Sequence, residues 1–253
     1  MINWMRYRWL YLVISGTIIG VGIFAYFKWG LKFGIDFTGG TVIEYRFPDG
    51  QTKTFREPQE FKDPKVEQIR FEKVGPSIGP DLVKKTVIAL VLSASGILLW
   101  VAWRFKSFKF GLSAVLGMFH DSLVMLGSFA LLGHFFGAEV DFLFVTALLT
   151  ILSFSVHDTI VNYDRIRELK RKVGGELYDL ANLATSETMV RSVNNSFTII
   201  FMLVALILLG GSTTMWFAVA LLIGTVSGTY SSPFVSVAIL VTWDEIEKKL
   251  KSK

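Results

Sequence analysis

The chain has 253 residues, no cysteine and 52% hydrophobic residues, with a mean hydropathy of +0.50. That apolar share exceeds an ordinary soluble domain, and the missing cysteines exclude a disulfide scaffold. The net charge of +5 lies in short basic clusters and not in a compact fold with base-reading motifs, so it gives no ground for a nucleic-acid partner.

A spanning helix needs about 20 mostly apolar residues. Six stretches qualify, at 9–27, 86–103, 110–136, 142–163, 192–210 and 215–243. The expected fold is therefore an all-α polytopic membrane protein with six transmembrane helices. The first stretch, with the N-terminus (1–29), follows Arg6 and Arg8 as a signal peptide would. It shows no small-x-small cleavage site and five more spans follow, so it reads as an uncleaved anchor. Basic residues gather before the first span, between the second and third (Arg104, Lys106, Lys109), after the fourth (165–172) and in the tail at 244–253. The opposite short loops carry neither Lys nor Arg, which places both termini in the cytoplasm.

The connection at 30–85 then lies outside the membrane as a small β-rich domain between the first and second helices. TVIEYRF alternates Ile43, Tyr45 and Phe47 with Glu44 and Arg46, the period of a half-buried strand. Pro48-Asp49-Gly50 supplies a turn before QTKTF, and EQIRFEKV gives a third strand. EPQEFKDP reads as a loop, and no substantial helix fits. The GIDFTGG run contains Gly34, Asp36, Gly39 and Gly40 but lacks the lysine of a phosphate loop. Its glycines suit a tight turn where the sheet meets the membrane, with Asp36 bonding backbone there.

A five-helix bundle is expected over 86–243, interrupted by a charged loop at 164–190. Gly174-Gly175 breaks this loop, and Leu177, Leu180 and Leu183 suggest an amphipathic helix on the inner membrane surface. Asp158 ends the fourth span and Arg191 opens the fifth. An antiparallel pair would bring these two charges together. A charge in a span costs roughly 2.5–3.5 kcal/mol, so it marks a functional site with a partner nearby. Ser155 and Asn162 share the Asp158 face by helical spacing, while Asn194, Asn195 and Thr198 form a matching stripe behind Arg191. The residues alone leave a proton-transfer site and a static interhelical salt bridge both open. His157 is turned about 100° from Asp158 and reads as a neutral side chain bonded to a neighbouring helix. His120-Asp121 in the third span is a second buried polar pair, which either holds helices together or lines a water path, with the structural role the favoured reading. Gly224, Gly228 and Ser232 recur every four residues, a small-residue packing face widened by Ser227 and Ser231. No metal cluster, nucleophile elbow or nucleotide loop is present, so the chain is not expected to be an enzyme or to hold a metal or cofactor.

Five motifs in order complete the pattern: GIDFTGGT, VGPSIGPDL, SVHDTIVNYDRIRE, ATSETMVRSVNNSFT and GTVSGTYSSPF. Together they resemble the SecF family, the smaller membrane subunit of the bacterial SecD–SecF protein-export complex, in the resistance-nodulation-division superfamily. The resemblance covers nearly the whole chain. It implies a location in the bacterial inner membrane, pseudo-symmetric pairing with SecD, and proton-driven help to the SecY channel in exporting unfolded polypeptides. It also implies that Asp158 and Arg191 are proton-path residues, with the proton as coupling ion. Two features depart from the family pattern: His157 stands where Asn is usual, and the outer domain is short. The rival expectations are a passive subunit that stabilises SecD and a small-molecule exporter half of the same superfamily.

Overall fold

The computed structural model describes residues 2–56, 65–75 and 78–252. After a short 3-10 turn at Trp4–Tyr7, the chain order is α1 (Arg8–Trp29), a one-turn α2 (Ile35–Thr38), β1 (Gly40–Arg46), β2 (Thr52–Phe55), β3 (Glu67–Val74), α3 (Ile78–Phe105), α4 (Phe108–Phe136), α5 (Phe142–Lys172), α6 (Leu177–Leu209), α7 (Ser212–Ser231), a π-helical turn (Ser232–Ser236) and α8 (Val237–Lys251). Six helical segments are long and apolar enough to cross a membrane, the last running through α7, the π turn and α8. Both chain ends lie at one end of the bundle; the sheet lies at the other.

Helices α4 and α5 form the centre of the bundle: α4 packs against α1, α3, α5 and α7, and α5 against α3, α4, α6 and α7. Small residues set these distances. A Cβ on Gly224 would stand 2.5 Å from Ile151 Cγ1, and one on Gly228 would stand 3.2 Å from Ser155 Cβ. The face of Gly224, Gly228 and Ser232 therefore lies against α5, with Ser232 Oγ donating to the Ser155 carbonyl at 3.0 Å. On the far side, α1 runs parallel to α4. A Cβ on Gly22 would come 2.8 Å from Gly127 Cα, and Trp29 stacks on His134 with ring centroids 4.4 Å apart.

Pro233 explains the π turn. It has no N–H to continue the ladder, so the helix widens there and its carbonyls turn to side chains. The Tyr163 hydroxyl donates to the Ser236 carbonyl at 3.3 Å. Tyr163 is fully buried among Phe105, Phe110, Ile166, Leu180 and Val241, the core at the terminal end of the bundle.

Two expectations change here. The stretch at 164–190 is no loop: α5 continues to Lys172, and α6 starts at Leu177 and runs unbroken through the fifth span. Leu177, Leu180 and Leu183 pack into the terminal core, so their apolar face is spent inside the protein and not on a membrane surface. The segment at 244–253 is likewise helical to Lys251 and held by ion pairs, including Lys109–Asp244 at 2.8 Å and Arg8–Glu245 at 2.6 Å.

The three strands form an antiparallel sheet in the order β2-β1-β3, falling in sequence between the first two spans. The β1–β2 turn closes through Phe47 N–H to the Gln51 carbonyl, with Gly50 at φ 79°. The expected division into a buried apolar face and a free polar face fails, because Ile43 and Glu44 are both buried. Glu44 and Arg70 stand 3.6 Å apart and line a crevice with Glu139 and Asp141, so the polar face covers the end of the bundle. The expected loop at 57–64 lies outside the described residues.

The glycine motif joins sheet to bundle. Gly34 N–H donates to the Val140 carbonyl at 2.9 Å, and a Cβ on Gly34 would lie 3.1 Å from Asp141 Cβ. Gly39 and Gly40 take φ of 71° and 122°, which a side chain would strain. Asp36 accepts from Phe142 N–H at 2.9 Å and Asp141 from Phe144 N–H at 2.7 Å, so two carboxylates cap the start of α5. Burial pushes the Asp141 carboxyl above its ordinary value of 3.8, and the Asp36 charge adds to this against the opposing bond from Phe144.

Three outcomes follow for stability. Gly224→Leu is predicted to cost about 1–3 kcal/mol through overpacking against Ile151, whereas Gly16→Leu, whose Cβ meets nothing within 4 Å, is predicted to melt as the wild type does in detergent. Asp36→Ala removes a cap worth about 1 kcal/mol and is expected to speed amide exchange at Phe142 without altering the α7 core. An acid whose pKa rises on folding favours the folded state at low pH. The Asp141 contribution therefore declines as pH climbs from 3.8 through the raised folded value, and Asp141→Asn is expected to flatten that part of the melting-versus-pH curve.

Candidate functional site

Asp158 is half-buried on α5 and accepts a hydrogen bond from Ser192 Oγ, the residue after Arg191 on α6. No ion pair joins Asp158 to Arg191 among the described residues. Arg191 is exposed and lines a cleft with Asp164, Arg165, Glu168, Glu187 and Thr188. In that cleft Arg165 is spent on Glu187 and, at 2.6 Å, on Glu168. The two spans do bring Asp158 and Arg191 to the same region, and a serine makes the direct contact.

The expected stripes divide. Ser155 does not share the surroundings of Asp158, because it points into the bundle and donates to Asp121 at 2.5 Å. Asn162 is also buried, with Nδ2 3.4 Å from Thr185 Oγ1. On α6 the residues that face the bundle are Ser192 and Ser196, and Ser196 Oγ lies 2.5 Å from Thr229 Oγ1 on α7. Asn194, Asn195 and Thr198 are exposed instead. Helical spacing identified them as one stripe correctly, but the stripe looks outward. His157 is exposed too, in a cleft with Ser93, Gly96 and Ser153 between α3 and α5, and has no hydrogen-bond partner among the described residues. The expected bond to a neighbouring helix is therefore not made: the side chain emerges on the outer side of α5.

Exposed polar residues thus run along the outer surfaces of α5 (Ser153, His157) and α6 (Arg191, Asn194, Asn195, Thr198), with the half-buried Asp158 turned to α6 between them. Exposed apolar residues of α3 (Val91, Leu99, Trp103) and α6 (Phe197, Phe201, Leu208) accompany this polar strip. Groups of this kind are not stable against hydrocarbon, since each unsatisfied polar group there costs several kcal/mol. Sequence spacing missed Ser192, and it named Asp121 without finding the serines that bond it. The signal for both was present in the serine pairs four residues apart, Ser192 with Ser196 and Ser227 with Ser231.

Comparison with known proteins agrees with this architecture. Residues 55–246 match the model of the protein export membrane protein SecD/SecF C-terminal family, and residues 30–47 match the SecD/SecF GG motif, the segment that joins sheet to bundle here. The chain is 36% identical to a protein translocase subunit SecF of Thermobaculum terrenum, over 96% of this chain and 94% of that one. It is 32% identical to the SecF of Anaerolinea thermophila, over 98% and 96% respectively. Among solved structures, a SecDF from Thermus, described as a translocon-associated membrane protein, superposes with a TM-score of 0.84 at 28% identity. That match covers 96% of this chain but 39% of the longer SecDF chain. The six apolar helices, the glycine junction and these matches agree: the chain belongs to the SecF family of protein-export membrane proteins.

Proposed function

We propose that this chain is the SecF-type half of a SecD–SecF pair that uses the proton gradient to help draw unfolded polypeptides outward from the SecY channel. The observation that carries this reading is the uncovered polar strip. Membrane-embedded Asp158, His157, Arg191 and Asn194 require a protein surface opposite them. The SecDF chains that this protein resembles carry further sequence beyond the matched part, and SecD is the natural cover. The helix end bearing Arg104, Lys106, Lys109, Arg171 and Lys172 faces the cytoplasm of a bacterial inner membrane by the positive-inside rule, with both termini, and the sheet faces outward.

In this reading Asp158 is the proton-binding group and Arg191 its distant counter-charge. When Asp158 is ionised it accepts from Ser192, tying α5 to α6. Protonation weakens that bond and the pull of Arg191, which frees α5 and α6 to shift against each other. Because α5 begins at the Asp36 and Asp141 caps, a shift in α5 is carried to the sheet. The drive is roughly 2.3 kcal/mol per charge per 100 mV, enough to bias a two-state equilibrium and too little to unfold a stable domain in one step.

The test is gradient-driven export into inverted vesicles at matched protein levels. Asp158→Asn is predicted to abolish the gradient-stimulated part and leave SecD co-purification intact. Arg191→Lys is predicted to retain topology yet lose most of the stimulation, since the compact ammonium replaces a planar, always-charged fork. Wild-type stimulation in Asp158→Asn would refute proton coupling at this residue and favour a passive subunit that stabilises SecD.

A further inference from the structure

Asp121 lies at the middle of α4, fully buried, with no Lys or Arg in contact among the described residues. Three hydroxyls from two other helices converge on it. Ser155 Oγ donates to Oδ2 at 2.5 Å, Ser231 Oγ to Oδ2 at 2.7 Å, and Ser227 Oγ to Oδ1 at 2.6 Å. The fourth neighbour is His120, whose Nδ1 is 3.1 Å from Oδ1. Holding helices together would account for the serines. It leaves His120 Nε2 unexplained, because that atom is buried without a partner.

The α1–α4 seam supplies the missing half. Gly22 meets Gly127 and Trp29 stacks on His134, so the two parallel helices keep one register along the contact. Seven residues before Gly22 and Gly127, on the same helix faces, stand Ser15 and His120. Ser15 Oγ is likewise buried without a partner. By that register the two residues stand at one level of the α1–α4 contact, each with a buried polar atom that lacks a partner.

We propose that Asp121 is a second proton-exchanging carboxylate of the transport cycle, with Ser155, Ser227 and Ser231 caging its charge and His120 as the base that takes its proton. The step balances for one proton. The Asp121 O–H bond breaks as an N–H bond forms at His120 Nδ1, which leaves a carboxylate beside an imidazolium. The serine cage fits both states, because hydroxyls rotate: Ser231 has a second acceptor in the Gly228 carbonyl at 3.4 Å.

Other titratable groups on the packed elements make no hydrogen bond to Asp121 among the described residues: His157 on α5 opens into the cleft towards α3, and the Tyr230 ring lies 6.3 Å from that of His120. Tyr230 on α7 donates to the Tyr11 carbonyl of α1, and Asp158 on α5 turns to Ser192. At the terminal end, Arg8 pairs with Glu245 and Lys109 with Asp244 and Glu247. On α3, Lys85 pairs with Asp81 and Arg104 with Asp164, both at helix ends.

This inference rests on the proposed transport reading, but its spectroscopic test is independent of it. Infrared difference spectra of the SecD-bound complex in lipid, recorded between acid and alkaline buffer, are expected to contain a protonated-carboxyl band. That band is expected to disappear in Asp121→Asn and persist in Asp158→Asn. In Ser227→Ala/Ser231→Ala, which keeps the carboxyl and covers the case of a poorly folded Asp121→Asn, the band is expected to shift in frequency because two donors are gone. A static polar pair predicts no titrating band at Asp121 and no shift, and either result overturns the proposal. In the export assay, Asp121→Asn at wild-type abundance is expected to lose at least about tenfold of the gradient stimulation, since the route then ends at an amide. Undiminished stimulation in that variant would overturn the role in the cycle. If Asp158→Asn alone keeps its stimulation, the transport reading fails at that residue, and the infrared band still decides the chemistry of Asp121.

Discussion

A carboxyl group inside a membrane protein must find its hydrogen bonds in neighbouring helices, and that constraint organises this chain. Asp121 draws one serine from α5 and two from α7, which fixes three helices around a single buried point. The close approach this requires explains the small residues along α7. Gly224 and Gly228 let α7 come near enough to α5 for Ser232 to reach the Ser155 carbonyl. The π turn at Pro233 belongs to the same arrangement, since it presents Ser231, Ser232 and Ser236 together to α4 and α5. A bundle built of apolar packing alone would have no need of this concentration of hydroxyls.

The polar groups that the bundle cannot satisfy internally are gathered on one face. Asp158, His157, Arg191 and the exposed asparagines of α6 are accompanied there by exposed apolar residues of α3 and α6. This asymmetry separates two kinds of polar site. The Asp121 cage is closed and belongs to the subunit, whereas the Asp158 strip is open and calls for a second protein. A pair of such subunits would enclose the strip between them. A cleft lined by Asp164, Glu168, Glu187 and Arg191 opens at its terminal end.

Much of this was legible in the sequence. The six spans follow from uninterrupted apolar length, and the three strands follow from alternation and the Pro48-Asp49-Gly50 turn. Helical spacing also grouped the polar residues of α5 and α6. It could not tell which neighbour each group would meet. Ser155 and Asp158 are about 60° apart on the helix wheel, and the boundary between core and open face falls between them. The same limit hid the fate of Leu177, Leu180 and Leu183, because an amphipathic face suits a membrane surface as well as a protein core until the packing is known. Asp121 looked structural because its cage is drawn from residues 34 to 110 positions away, beyond the reach of local pattern.

The central claim is that an intramembrane carboxylate of this subunit binds the protons whose movement is coupled to export. Proton flux through the reconstituted complex, followed with a pH dye trapped in proteoliposomes while a polypeptide is translocating, tests it most directly. The account predicts a flux that depends on the translocating chain and vanishes when Asp158 is replaced by Asn. An equal flux in the variant and the wild type, at equal insertion, would contradict it.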